Sequence, residues 1–439
     1  MNYEYLAGKG FDNYRKTLND PESLIWYKIE ETVKKFAPSI VGITTKSQNY
    51  AAACNVAKIV KSVNNNTLVV FGGPHATLIK GELLNNPAID IGVLREGEET
   101  LVEILDAFEG SKPLSAIKGI VYREGDNIFE TQRREFIDDL DSLPFPVTVA
   151  QDCLIDFDKY PRKSFKYIFA IRGCPFSCSF CGSRYTWSRK VRFRSVENII
   201  EEIREIQRLG IDDIHFDDDT WGIKKSFIQN LCIAIKEQCT GLRWSCEIHV
   251  KFVDDETISF MKSAGCHSIQ IGVESGNNEI LKLLNKNSTI EDVFAAANII
   301  KKHNIHLQTF FIVGFPQETE ETLHDTISAM TSIPADFLIY SIFTPYYGTK
   351  LFNHCKELGI IVDDFDISLF NHQSPENYFC PNIPKDEFKE CIRELEKTVD
   401  RINNRNKLKY YFSREGYRKF KEKGFKYTML KMLRIVFGS

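Results

Sequence analysis

Two stretches of this chain alternate short apolar runs with segments of helical spacing, and a third is helical and charged. In the first stretch, Ser39-Ile40-Val41-Gly42-Ile43-Thr44, Leu68-Val69-Val70-Phe71 and Ile89-Asp90-Ile91-Gly92-Val93-Leu94 read as strands, and Asn49 to Val63 has the period of a helix. Buried parallel strands appear as continuous apolar runs, and with helices between them they predict an open α/β sheet. Arg95-Glu96-Gly97-Glu98-Glu99-Thr100 opens a further helix, and Gly119 to Thr131 predicts a hairpin. Phe136 to Pro161 carries prolines and acids without a period and reads as a linker.

The alternation restarts at Tyr167-Ile168-Phe169-Ala170-Ile171. Strand-like runs recur at Asp213 to Phe216, Arg243 to His249, His267 to Val273, Gln308 to Val313 and Phe337 to Phe343, with helical stretches such as Val196 to Leu209 between them. Right-handed crossovers make this a parallel partial barrel, helices outside, with the carboxyl ends of its strands around one mouth. From about Glu376 the pattern turns helical. The expected division is therefore an α/β domain over residues 1–135, a linker over 136–165, a partial barrel over 166–375 and a small helical region over 376–439.

Composition narrows the setting. A chain of 439 residues exceeds one ordinary core. No apolar run approaches the roughly 20 residues that span a bilayer. The start, Met1-Asn2-Tyr3-Glu4, shows no signal peptide, so the twelve cysteines point to a reducing cytoplasm and a metal site. A net charge of −4 gives no general pull toward nucleic acid or an anionic membrane. The stretch from Arg401 to Ser439 is basic and ends in an apolar-basic run. It reads as a packed terminal helix with a solvated face, or as an amphipathic helix in peripheral contact with a membrane.

The chemistry concentrates in Arg172-Gly173-Cys174-Pro175-Phe176-Ser177-Cys178-Ser179-Phe180-Cys181-Gly182. Structural zinc and [4Fe–4S] clusters both want four ligands. Three thiolates on a cubane leave one iron open to something that reacts, whereas zinc would need a distant fourth ligand. After the second barrel strand comes Asp217-Asp218-Asp219-Thr220, after the fourth Gly272-Val273-Glu274-Ser275-Gly276, and after the fifth Phe311-Ile312-Val313-Gly314-Phe315-Pro316.

This set, over Lys166 to Leu358, resembles the radical S-adenosylmethionine (SAM) superfamily. The resemblance implies that Cys174, Cys178 and Cys181 hold a [4Fe–4S] cluster whose open iron chelates SAM. It also implies that Phe180 and the Gly314 stretch lie near the adenine. Asp217 and Asp218 stand where a short polar motif holds the SAM amino group, and Glu274 and Ser275 supply polar contacts. No catalytic residue beyond the cluster ligands is readable. Tyr340, Tyr346 and Tyr347, near the last strand end, either face a substrate or pack.

The first stretch resembles the cobalamin-binding domain that precedes this barrel in one branch of the superfamily. The matching residues are Pro38 to Ile43, Gly72-Gly73-Pro74-His75-Ala76-Thr77 and Arg95 to Thr100. Gly72, Gly73, His75 and Thr77 are the expected cobalamin contacts, glycines allowing close approach to a flat macrocycle. The D-x-H-x-x-G signature of histidine on cobalt is missing, so base-off binding is expected. Residues 1 to 37 show a helical run but no clear first strand, with which the family normally opens.

The resemblance implies reductive cleavage of SAM to a 5′-deoxyadenosyl radical, and methylation of an unactivated carbon or phosphorus of a small molecule or peptide. Oxidative cyclisation or rearrangement with the same cofactors is the alternative, and a non-catalytic cluster or cobalamin sensor the reading from another class. A flavodoxin or ferredoxin is the implied electron donor.

Overall fold

The computed structural model describes residues 9–362, 365, 372 and 377–411. Helices α1 (Lys9–Asn19) and α2 (Leu24–Phe36) lead into β1 (Ile40–Thr44), α3 (Tyr50–Val63), β2 (Leu68–Gly72), α4 (Pro74–Ile79), β3 (Ile91–Val93), α5 (Glu98–Phe108), β4 (Ile120–Glu124) and β5 (Asn127–Glu130). The strands form one sheet in the order β1-β2-β3-β4-β5. The first three run parallel, and the predicted hairpin adds β4 and β5 antiparallel. Val69, Val70, Phe71 and Ile91 in β2 and β3 are buried, as continuous apolar runs require. Among the described residues no strand precedes Ile40.

The connecting stretch contains a helix, α6 (Pro146–Cys153). The second unit then runs β6 (Tyr167–Ile168), β7 (Ile171–Arg172), α7 (Ser183–Thr186), β8 (Arg192–Phe193), α8 (Val196–Arg208), β9 (Asp213–Trp221), α9 (Lys225–Gln238), β10 (Arg243–Ile248) and α10 (Asp255–Ser263). It continues with β11 (Cys266–Glu274), α11 (Asn278–Leu283), α12 (Ile290–Lys302), β12 (His306–Val313), α13 (Glu320–Ser332), β13 (Phe337–Ile342), α14 (Lys350–Glu357) and α15 (Lys385–Tyr411). Six strands form a sheet ordered β13-β12-β11-β10-β9-β6, every pair parallel.

Local chemistry starts the helices where the strands end. Ser195 caps α8 by accepting from Asn198 N at 3.1 Å, and Asp254 caps α10 by accepting from Thr257 N at 2.9 Å. Thr289 and Asp292 form a capping box on α12. The open edge at β13 is covered by α15. Asn403 accepts from Leu338 N and donates to Leu338 O, both at 2.8 Å, giving the exposed ladder a side-chain partner.

Two features differ from the sequence expectation. The strand expected over Tyr167–Ile171 is broken, because buried Asp218 accepts from both Ala170 N and Ile171 N at 2.9 Å and draws these amides off the sheet. Residues Ile171–Arg172 instead pair antiparallel with β8. The three aspartates, expected after the second strand, lie within β9, which runs on to Trp221. Trp221 and Trp244 pack at 5.5 Å in the core, and such apolar burial contributes about 1.5–3 kcal/mol per side chain. The end of the basic stretch, including Tyr427 to Phe437, lies outside the described residues.

Candidate active site

The cysteine loop leaves β7 at Gly173, whose φ is +106°. A Cβ there would sit 2.4 Å from Lys190 O, so only glycine lets the loop turn against the backbone leading into β8. The loop is tied down at several points. Ser179 N donates to Leu284 O at 2.8 Å, Asn285 Nδ2 donates to Ser177 O at 2.9 Å, and Leu351 N donates to Ser179 O at 3.1 Å. Cys181 Sγ accepts from Ser183 N at 3.4 Å.

Cys174, Cys178 and Cys181 all line one cavity of about 250 Å3 at the carboxyl ends of β9 to β12. All twelve cysteines are free thiols. Burial pushes Cys174 up to about 11 and Cys181 up to about 12, so these thiols become thiolates only beside strong positive charge. Among the described residues no three His, Cys, Asp or Glu side chains gather tightly enough for a single ion. Three soft donors spaced around a cavity wall suit a polynuclear iron–sulfur group better than one zinc.

The opposite wall is charged. Lys286 Nζ donates to Glu274 Oε1 at 2.6 Å, and both side chains are buried. Burial alone would lower the Lys286 pKa, but the Glu274 carboxylate and the Cys178 sulfur outweigh it and the pKa is raised. Glu274 sits at φ +66°, a strained turn that aims its side chain inward. A Cβ on Gly272 would lie 2.3 Å from Glu274 Oε1, so the pair occupies space that the glycine leaves. Glu247 is pushed up to about 7 by burial and by the charges of Asp217, Glu274 and Asp219. His249 stacks on Phe176 at 3.9 Å and donates from Nε2 to Lys286 O at 3.0 Å. Burial holds it down at about 4, so it is neutral.

Of the residues expected to touch SAM, Phe180 and Glu274 line this cavity. Asp217 and Asp218 do not; their neighbour Asp219 does, its Oδ2 accepting from Ser183 Oγ at 2.7 Å. The Asp218 side chain is spent on the break after β6, and burial raises its carboxyl to about 8. Ser275 faces α13, 3.2 Å from Thr326 Oγ1. Gly314 faces α15, where a Cβ would meet Phe388 Cζ at 3.0 Å. Both shape the turns behind the cavity. Sequence reading missed Lys286, Glu247 and His249. A signal for Lys286 was there: it stands between Asn285 and Asn287, which hold positive φ of 53° and 59° and make a tight turn.

The carboxyl edge of the first sheet is built differently from expectation. Gly73 has φ +93°, and a Cβ on it would lie 2.8 Å from Thr45 O and Thr44 Oγ1. It packs against its own β1 loop and does not open space for a macrocycle. Gly72 has room, since a Cβ on it would lie 3.8 Å from Val93 Cβ, an ordinary contact. Thr77 Oγ1 accepts from Arg95 N at 2.8 Å. His75 is buried, its Nδ1 3.0 Å from Ser47 Oγ and its ring between Tyr50 and Tyr347. Burial lowers it to about 4, and its Nε2 has no partner among the described residues. That orphaned nitrogen is an unmet polar contact at this edge, where a bound group would find it.

The two units meet along this edge. Tyr347 packs on His75, and Tyr346 Oη accepts from Gln48 Nε2 at 3.0 Å, so both tyrosines face the first domain. Tyr340 packs under α15, where burial and the acids Glu396 and Asp400 raise it to about 12. Arg192 Nη1 donates to Glu96 Oε2 and Arg172 Nη1 to Glu96 Oε1, each at 2.9 Å, tying the loop after β3 to the strands flanking the cysteine loop. A larger cavity of about 780 Å3 lies between α5 and β6–β7 but holds none of the cysteines.

A parallel six-stranded half-barrel with a three-thiol pocket at its mouth, joined to a Rossmann-like domain by its strand ends, defines a radical enzyme that works with several cofactors. The Radical SAM superfamily pattern matches residues 168–330 and the B12 binding domain pattern residues 5–105. An uncharacterized methyltransferase of Pyrococcus horikoshii is 34% identical over 76% of this chain and 72% of its own length. An anaerobic magnesium-protoporphyrin IX monomethyl ester cyclase of Cereibacter sphaeroides is 29% identical over 79% of this chain, which spans 58% of that enzyme. The structure of TsrM, a radical SAM methyltransferase of Kitasatospora setae with cobalamin and a [4Fe-4S] cluster bound, superposes with a TM-score of 0.69 over 86% of this chain and 81% of that one, at 16% identity. The chain belongs to the cobalamin-dependent radical SAM enzymes, whose cofactors are a [4Fe–4S] cluster, SAM and cobalamin.

Proposed function

We propose that this protein methylates an unactivated carbon or phosphorus centre of a small molecule. The observation that carries the reading is the position of the thiol pocket. It opens at the barrel mouth, and the loop that builds it is clamped through Arg172 to the domain matching the B12 pattern. When bound, the cluster and SAM supply a hydrogen-abstracting 5′-deoxyadenosyl radical, and cobalamin supplies the methyl group.

The chain's own residues do the positioning. Cys174, Cys178 and Cys181 hold the cluster. Lys286 pairs with the Glu274 carboxylate and holds it at the cavity, where it meets the ammonium end of an amino acid. Phe180, set against Phe315 at 6.1 Å, offers an aromatic face to a base. Glu247, pushed up to about 7 by burial and the neighbouring acids, adds a carboxyl to the same wall. His249 and Phe176 close the wall and limit water.

Free thiols throughout accord with a reducing cytoplasm, and no described helix is long and apolar enough to cross a membrane. An electron donor of flavodoxin or ferredoxin type completes the scheme. Cyclisation is the second reading, favoured by the likeness to the cyclase. SAM carrying a deuterated methyl group separates them: methylation adds the labelled methyl to the product, and cyclisation removes two hydrogens and adds none.

A further inference from the structure

A third cavity lies on the same seam, away from the cysteines. It measures about 240 Å3 and is walled by Thr77, Lys80, Arg95, Arg133 and Arg134 from the first domain and its hairpin, and by Tyr185 of α7. Its charges do not balance. Glu130 is the one carboxylate on the wall among the described residues, and it is taken by Lys80 at 2.8 Å. Arg134 is matched by Glu99 at 3.1 Å and Glu103 at 2.8 Å. Arg95 and Arg133 have no carboxylate partner among the described residues.

These two guanidiniums also share one aromatic neighbour. Arg95, Arg133 and Arg192 all lie over the Phe136 ring, at 5.1, 5.5 and 4.8 Å. Only Arg192 of the three has its charge met, by Glu96. Arg95 Nη1 is buried without a hydrogen-bond partner among the described residues, which is costly for a charged donor. The fold fixes this residue nonetheless: Arg95 N is held by Thr77 Oγ1, and its φ is +70°. Two guanidiniums without a carboxylate partner among the described residues, on the wall of one small cavity, suit a compact oxyanion, and planar forks of this kind suit phosphate.

We propose that this cavity binds the phosphate group of a larger ligand seated between the two domains. The carrier is either the phosphodiester of the cobalamin nucleotide or a phosphoryl group on the substrate. The first source rests on the proposed function above; the phosphate site itself does not.

Titration of the full chain with three probes tests it: hydroxocobalamin, cobinamide (a corrin without nucleotide or phosphate) and inorganic phosphate. Arg133 is exposed, so Arg133→Ala leaves the fold intact, and Arg95→Lys serves as a second variant. If the nucleotide is the carrier, Arg133→Ala weakens hydroxocobalamin at least about tenfold and leaves cobinamide unchanged. If the substrate is the carrier, both corrinoids bind both proteins alike, while wild-type protein binds inorganic phosphate and both variants lose it. Wild type and variants alike toward all three probes would overturn the site. Failure of both corrinoids to bind wild type would count against the cobalamin assignment, while the phosphate titration still decides the cavity.

Discussion

Arg192 Nη1 donates to Glu96 Oε2 at 2.9 Å, and this buried contact joins the loop after β3 of the first domain to the strand that backs the cysteine loop. Burial would raise the Glu96 pKa, but Arg192, Ile137 N and Arg172 more than offset it, and the carboxyl is held below its ordinary 4.5. A lowered carboxylate stabilises the fold fully above that value and loses its contribution as pH falls through the folded pKa. Arg192→Ala leaves Glu96 buried and short of its partner. We expect a loss of about 3–5 kcal/mol in urea unfolding at neutral pH, a difference that shrinks as the pH drops below about 4.5. A constant difference down to the lowest folded pH contradicts the role given to Glu96.

Replacing Cys174, Cys178 or Cys181 with Ala should abolish iron–sulfur absorbance after anaerobic reconstitution, since two thiolates do not hold a cubane. Cys232→Ala, in the barrel core, should keep the absorbance with only a small loss of stability. Equal loss in both kinds of variant removes the basis for the cluster assignment.

The cluster motif was legible because its meaning lies in ligand spacing along one loop. Continuous apolar runs likewise disclosed both sheets. The placement of Asp218, Ser275 and Gly314 was not legible, because a strand-end motif does not say which side chains turn inward. Alternation inside β9 sends Asp217 and Asp219 to one face and Asp218 to the other. Nor could the sequence show that Gly73 packs on Thr44 and Thr45, a contact between two loops that lie apart along the chain.

Lys286→Met should leave the cluster loaded and weaken SAM binding about tenfold, a change of about 1.4 kcal/mol, because Glu274 loses the cation that holds it in place. The check is SAM binding to the reconstituted protein, with iron content measured alongside. Unchanged affinity at full iron loading would show that the pair serves the fold alone.

At the cobalamin edge, His75→Ala should leave the visible spectrum of bound hydroxocobalamin unchanged, as the ring is neutral, gripped by Ser47 and flanked by Tyr50 and Tyr347. Gly73→Val should weaken corrinoid binding by distorting the β1 loop, since its side chain would strike Thr45 backbone atoms at 2.8 and 2.9 Å. A spectral change in His75→Ala would instead place the imidazole on cobalt.

The most direct test of the whole account is the product analysis of one sample. The full chain is reconstituted anaerobically with iron, sulfide and hydroxocobalamin, desalted, and incubated with SAM and dithionite. Protein that retains both iron and corrinoid and releases 5′-deoxyadenosine is the predicted result. Protein that retains both and yields no 5′-deoxyadenosine above a Cys181→Ala control would contradict it, and would leave a binding protein in place of an enzyme.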